Sequence, residues 1–178
     1  MMVLGLQGSR PCPAGHRDPE VYRRMSDKKI CFTASSGGHL EEILELRSIL
    51  KKYDSFLLTE KTRFVTSLDP KRTYYLRQCS RHDKSLLLEL LWNSAVSLGV
   101  FIKERPNAVI TTGALATIPF CLVMKLFHKK LIFIESYAKV SSTTRIGRFL
   151  YRYADRFYVQ WGSMLGQYPD AVYAGSIY

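Results

Sequence analysis

The sequence predicts an α/β fold, a parallel, doubly wound, Rossmann-like sheet of about six strands in a single domain. Three observations predict it. Short apolar, partly β-branched runs alternate about six times with helical stretches. No Asn-Gly or Asp-Gly hairpin signal joins consecutive runs. Polar or glycine-rich segments follow the runs at 35–39, 111–113 and 135–136. In such a sheet ligands bind beyond the carboxyl ends of the strands.

At 178 residues the chain suits one domain with a sizeable core. The formal net charge of +11 calls for anionic partners: a phosphorylated ligand, an anionic membrane surface or nucleic acid. The basic residues are spread over loops and helices without a recognition motif, so nucleic acid is not expected. Cys12, Cys31, Cys79 and Cys121 are scattered, with no zinc spacing, and no metal site is expected. Residues 1–27 are expected as a disordered extension, because Pro11, Pro13, Pro19 and several glycines and charges show no periodicity and no apolar secretory core. Met25 reads as a natural start, and residues 28–178 form the domain.

The first strand is expected over 30–34, a buried apolar run broken by Ser35, Ser36, Gly37 and Gly38. A helix follows from Leu40 to Leu50, with Ile43, Leu44 and Leu46 on its apolar face. Strands are expected at 54–59 and 73–76, separated by a polar connection over 60–68 and a turn at Asp69 and Pro70. A basic loop with Arg77, Arg81, His82 and Lys84 leads into a long apolar helix over 85–102. Its length approaches a transmembrane span. Glu89, Asn93 and Gly99 interrupt it, and spanning would pull the sheet apart. Two readings stay open: a helix packed in the core, or one leaving Leu87, Leu91 and Trp92 for an anionic membrane interface, with Arg81 and Lys84 among its basic flanks. Pro106 ends that helix. A fourth strand over 107–112 is closed by Gly113, and an apolar helix runs over 115–127. The fifth strand, 130–134, delivers Glu135 and Ser136 at its carboxyl end. A helix over 144–153 carries Arg145, Arg148 and Arg152, and a sixth strand runs over 155–161 before a turn-rich end.

The segment Ser35-Ser36-Gly37-Gly38-His39 is the strongest local signal. A glycine turn between a strand and a helix points backbone N–H groups at a ligand and favours anions, phosphates above all. It matches neither the dinucleotide pattern nor a P-loop. Two readings stand on local evidence: a phosphate-facing loop with His39 at the ligand, or a plain tight turn. Gly113 either admits close approach or only makes a turn. Glu135 is either a sugar ligand or base, or a structural carboxylate. Arg145 either meets phosphate or is solvated. His16, His82 and His128 have no partner pattern.

These motifs in this order, with Thr112-Gly113-Ala114, Glu135-Ser136 and the segment 145–158, resemble the N-terminal half of GT-B glycosyltransferases of the MurG type. They look most like the PssD/CpsF group of bacterial polysaccharide-biosynthesis proteins. That group is similar to the membrane-anchoring subunit of the eukaryotic UDP-GlcNAc transferase acting on dolichol diphosphate. The resemblance covers about residues 28–178 and implies a single GT-B N-terminal-type domain, half of an enzyme whose other half is a PssE-like donor-binding subunit. The implied activity is hexosyl transfer from UDP-galactose or UDP-GlcNAc to a polyprenyl-diphosphate-linked sugar in capsule or exopolysaccharide synthesis, weak or absent without the partner. It implies catalytic roles for His39 and Glu135, and acceptor or phosphate binding by Ser36, Gly37, Gly38, Gly113, Ser136 and Arg145. No cofactor is implied, and without an Asp-x-Asp no metal. No apolar anchor precedes the first strand, unlike in the eukaryotic subunit, so peripheral membrane contact at the cytoplasmic face of the bacterial inner membrane would rest on helix 85–102. The alternative is a non-catalytic membrane adaptor that recruits and activates a separate transferase.

Overall fold

The computed structural model describes residues 27–61, 72–80 and 85–178. Residues 1–26 of the expected disordered extension over 1–27, the turn at Asp69 and Pro70, and Arg81 and Lys84 lie outside the described residues. In chain order the elements are β1 (Lys29–Ala34), α1 (Gly38–Glu45), α2 (Arg47–Lys52), β2 (Asp54–Glu60), β3 (Thr73–Leu76), α3 (Leu86–Glu104), β4 (Ala108–Thr111), a 3-10 turn (Leu115–Thr117) running into α4 (Ile118–Leu126), β5 (Lys130–Ile134), α5 (Arg145–Leu150), β6 (Arg156–Val159), a second 3-10 turn (Gly162–Gly166) and β7 (Val172–Tyr173).

All neighbouring strands pair in parallel, in the order β3-β2-β1-β4-β5-β6-β7. The sheet is thus the expected doubly wound one, with a seventh strand that two residues in a turn-rich tail do not announce. The chain steps outward from β1 to β3, then crosses back through α3 to β4. That reversal leaves the carboxyl ends of β1 and β4 side by side at the middle of the sheet, the place where such folds take ligands.

Each face of the sheet has its own core. Ile30, Phe32 and Ala34 point to one side, with Leu57, Ile110 and Ile134, under Leu40, Ile43 and Leu44 of α1. Cys31 points to the other, with Leu58, Val109, Leu131 and Phe133, under Val100 and Phe101 of α3, Phe120, Cys121 and Met124 of α4 and Leu150 of α5. The strict alternation along β1 is the period of two that lets an all-apolar run serve both layers. The expected first helix is two helices, broken at Leu46, whose φ of −80° and ψ of 24° leave the helical region.

The two readings of helix 85–102 are separated by burial. Only Asn93, Ser97, Val100 and Phe101 of α3 are buried, whereas Leu87, Leu88, Leu91, Trp92, Leu98 and Ile102 are exposed. An 18-residue window of this helix has a mean hydropathy of 1.5 and is 22% buried, so it is no ordinary core helix. Its buried side is partly polar because Asn93 has work to do there. Its side-chain amide donates to the carbonyl of Arg77 at 2.9 Å, and its carbonyl accepts from the Arg77 N–H at 2.9 Å. This pair ties the segment after β3 to the helix. At the other end, Arg105 takes a left-handed φ of 48° just before Pro106.

The start of β6 is held by Asp155. Its carboxylate accepts from Lys125 Nζ at 2.8 Å, Lys130 Nζ at 3.1 Å and the Leu131 N–H at 2.9 Å. Burial opposes the charge, but the Lys125, Leu131 and Lys130 hydrogen bonds outweigh it and bring the carboxyl to about 2 from its usual 3.8. A lowered folded-state pKa gives stability that is present above the unfolded value and lost as pH falls. Stability is therefore expected to decline from about pH 4 and to lose this contribution by about pH 2. Asp155→Asn should flatten that acid limb in a denaturant midpoint measured against pH.

Candidate functional site

The site is built from the loops after β1, β4 and β5. At Gly37 the backbone takes φ 88° and ψ −147°, which side-chain-bearing residues rarely adopt, and this turns the chain from strand into α1. The Gly37 carbonyl accepts from Leu40 N at 2.8 Å and Glu41 N at 3.2 Å, closing the first turn. Gly37 and Gly38 are exposed and no atom stands where a Cβ would sit, so the loop presents backbone to solvent. Its entry is held by Glu60 at the end of β2, which takes backbone hydrogen bonds from Ser36 and Cys79. Burial nonetheless raises the Glu60 pKa.

His39 is half-buried in the first turn of α1. Its main-chain carbonyl accepts from the Thr112 hydroxyl at 3.0 Å, which joins the β1 loop to the end of β4. Its Nδ1 is buried and has no hydrogen-bond partner among the described residues. Gly113 follows, at φ 89°, with its N–H donating to the Thr111 hydroxyl at 3.1 Å. A Cβ on Gly113 would lie 2.9 Å from Phe133 Cζ. Gly113→Ala combines a strained backbone with overpacking, and should destabilise the fold by on the order of 2–4 kcal/mol in urea unfolding.

The third loop is tied to the first by Glu42, one turn after His39. Glu42 is 4% exposed, and its Oε1 accepts from the Ser136 hydroxyl at 2.9 Å and the Tyr137 N–H at 3.0 Å. Burial raises its pKa, against the Ser136 and Tyr137 hydrogen bonds and the charge of His39. Among the described residues its Oε2 is buried without a partner, like Nδ1 of His39.

Glu135 faces the other way. It is 1% exposed, and its carboxylate accepts from the Tyr168 hydroxyl at 2.7 Å, the Thr144 hydroxyl at 3.0 Å, the Ser136 N–H at 3.1 Å and the Thr144 N–H at 3.4 Å. Burial, then the Glu135 hydrogen bond, pushes the Tyr168 phenol far up, so it stays protonated and donates. The Thr144 hydroxyl also caps α5 by accepting from Gly147 N at 2.8 Å. A Cβ on Gly147 would come within 2.3 Å of Glu135 Oε2, so this carboxylate can sit here only because residue 147 is glycine. Of the two readings of Glu135, sugar ligand or base against structural carboxylate, this geometry bears on the second: its oxygens are engaged by Tyr168, Thr144 and Ser136 and closed to solvent.

The structure thus brings Ser36, Gly37, Gly38, His39, Gly113 and Ser136 to one end of adjacent strands, with Glu135 beneath them. Arg145 is exposed at the first residue of α5. Leu87, Leu91 and Trp92 form a separate surface on α3. Sequence reasoning missed Glu42, Glu60, Thr144 and Tyr168. For Glu42 a signal existed: it lies three residues after His39, beside Ile43 on the face that α1 buries. Among the described residues, no cluster of three or more His, Cys, Asp or Glu could hold a metal ion.

The family model described as "Oligosaccharide biosynthesis protein Alg14 like" matches residues 77–177. The UDP-N-acetylglucosamine transferase subunit ALG14 of Yarrowia lipolytica is 28% identical over 191 residues, covering 92% of this chain and 88% of its own. The human subunit of the same name is 28% identical over 195 residues, covering 90% and 88%. Among solved structures, Acinetobacter baumannii MurG superposes with a TM-score of 0.59 at 14% identity, covering 74% of this chain and 41% of that one. Staphylococcus aureus MnaA, solved with UDP, gives 0.64 at 11% identity, covering 84% and 45%. These likenesses show the fold, and this chain spans less than half the length of either structure.

Proposed function

Because this chain belongs to the family of Alg14-like oligosaccharide biosynthesis proteins, we propose that it is the acceptor-binding, membrane-associating subunit of a UDP-sugar-dependent glycosyltransferase split over two chains. The observation that carries the reading is the interlock of three strand ends: Thr112 bonds to His39, and Glu42 to Ser136 and Tyr137. These bonds hold an open glycine turn, a half-buried imidazole and the Ser136 loop as one rigid surface.

In this reading the N–H groups of the Gly37–Gly38 turn and the end of α1 receive the diphosphate of a polyprenyl-diphosphate-linked sugar. Gly113 lets its loop approach closely, and Ser36, Ser136 and Arg145 border the same surface. His39 takes the proton of the acceptor hydroxyl as that oxygen attacks the anomeric carbon of the donor sugar and the bond from that carbon to the diphosphate breaks, releasing UDP. Glu42 and Glu135 are positioning residues: the first fixes the Ser136 loop against α1, the second fixes the loop leading to α5. UDP-GlcNAc or UDP-galactose is held mainly by a PssE-like partner, and no metal or other cofactor takes part. The setting is polysaccharide assembly for a capsule or exopolysaccharide at the cytoplasmic face of a bacterial inner membrane, which the apolar face of α3 would meet.

The inward-facing Glu135 favours a second reading, a non-catalytic adaptor that recruits and activates a complete transferase. Equilibrium binding separates the two. The acceptor reading expects this chain alone to bind a short-chain polyprenyl-diphosphate sugar and not UDP-GlcNAc or UDP-galactose. Absence of acceptor binding, in the chain and in the complex, would leave the adaptor.

A further inference from the structure

We propose that Glu42 acts on His39 as well as on the Ser136 loop. Its Oε2 accepts the Nδ1–H of the imidazole, which fixes the neutral ring with its proton on Nδ1 and leaves Nε2 to take the acceptor's proton. This pair rests on the reading of His39 as the base and supplies what holds that base in its working form.

Two unpartnered atoms carry the pairing. Among the described residues four buried side-chain nitrogen or oxygen atoms lack a hydrogen-bond partner, and His39 Nδ1 and Glu42 Oε2 are two of them. Both residues lie in α1, three positions apart, the spacing that sets side chains one above the other over a single turn. Their chemistry is complementary. A carboxylate oxygen accepts, and a neutral imidazole donates from one of its nitrogens. Each is costly when shut away from water alone, and one bond between them removes both deficits. The charges agree with the spacing. Burial raises the Glu42 carboxyl above its usual range and Glu135 adds to this, whereas the bonds from Ser136 and Tyr137 and the charge of His39 act the other way.

The carboxylate is held ready for this bond. Its Oε1 accepts from the Ser136 hydroxyl at 2.9 Å and the Tyr137 N–H at 3.0 Å, which pins the group and leaves Oε2 over. The main chain of His39 is pinned in turn by the Thr112 hydroxyl at 3.0 Å. What is left to move is the imidazole, whose rotation closes the pair. The position of its proton then decides the chemistry. With Nδ1 protonated, Nε2 offers a lone pair. It takes the hydroxyl proton as the acceptor oxygen bonds to the anomeric carbon and UDP leaves with the broken bond's electrons. The imidazolium so formed is stabilised by the carboxylate it already touches, and Nε2 afterwards gives its proton to water. In the reverse tautomer Nε2 already carries a proton and can take none. Glu42 touches neither substrate nor reacting atoms, so it is a positioning residue.

The test is nitrogen NMR of the full chain labelled at histidine, above the pH at which imidazole titrates, where couplings to the ring's carbon-bound protons tell an Nδ1–H ring from an Nε2–H ring. His39→Ala identifies the His39 signal among those of His16, His82 and His128. The wild type should show Nδ1–H. Glu42→Gln should show Nε2–H: the glutamine oxygen keeps the bonds from Ser136 and Tyr137, while its NH2 takes the place of Oε2 and donates to Nδ1. In the assembled enzyme the same variant should lower kcat by about 10²–10⁴-fold with KM unchanged, the loss expected when the base is disabled. Ser136→Ala removes one bond to the loop and keeps the carboxylate, so it should keep Nδ1–H. An Nε2–H ring in the wild type overturns the pair whatever the variants do. So does one tautomer shared by the wild type and Glu42→Gln, or a switch in Ser136→Ala, and each leaves His39 standing as a base without Glu42. A switched tautomer with kcat unchanged in Glu42→Gln overturns the positioning role. Unchanged kcat in His39→Ala overturns the base itself and this role with it, a result read independently of the spectrum.

Discussion

His39→Ala in the assembled two-subunit enzyme is expected to lower sugar transfer by about 10²–10⁴-fold, the usual contribution of a positioned general base. The effect should fall on chemistry alone, because the structural work at this position is done by the backbone. The bond from Thr112 goes to the His39 carbonyl, which alanine keeps, and alanine is a better helix former. Among the described residues the imidazole makes no hydrogen bond through Nδ1, so its removal strands no partner of that nitrogen. Folding, complex formation and vesicle binding should therefore match the wild type, while kcat collapses. Unchanged kcat in a properly assembled His39→Ala complex would remove the imidazole from the mechanism and support the adaptor.

Glu135→Ala is expected to act through stability instead. It strands the Tyr168 hydroxyl, the Thr144 hydroxyl and two backbone N–H groups in a buried site. The cost should reach about 3–5 kcal/mol, since each orphaned buried group costs roughly 1–3 kcal/mol and neighbours relax in part. For a chain of this size that is a fall in Tm of roughly 6–20 °C. Glu135→Gln separates a positioning role from a catalytic one. Glutamine keeps an acceptor for Thr144, and Tyr168 can turn its hydroxyl to accept from the new amide. A positioning residue is thus largely rescued by glutamine in both Tm and kcat. A residue that carries the acceptor proton would be rescued in Tm and remain without activity.

The fold was legible because its signals are local. The apolar run of β1, the glycines at 37 and 38, and Pro106 after α3 each set an element or a boundary by backbone chemistry alone. The three strand ends were legible as a site because a parallel sheet must deliver them to one edge. The rest depended on long-range packing. Glu135 and Tyr168 are 33 residues apart and meet only when the 3-10 turn after β6 folds back over α5. The sequence therefore leaves the carboxylate open as a candidate base or a structural group, and only the packing shows the bonds by which it braces the loop. The orientation of α3 was equally invisible. An apolar helix buries whichever face the sheet offers it, and here Asn93 and Ser97 mark the buried side while the leucines face out. A polar residue inside an apolar helix was read as an interruption of a span, and in the structure it is the clamp on Arg77.

The most direct test of a transferase divided between two chains is transfer of labelled sugar from UDP-GlcNAc or UDP-galactose to a polyprenyl-diphosphate sugar. It should be measured with this chain, with a PssE-like partner, and with both together. The account predicts transfer only when both are present, and loss of that transfer in His39→Ala. Full transfer by the partner without this chain would contradict it.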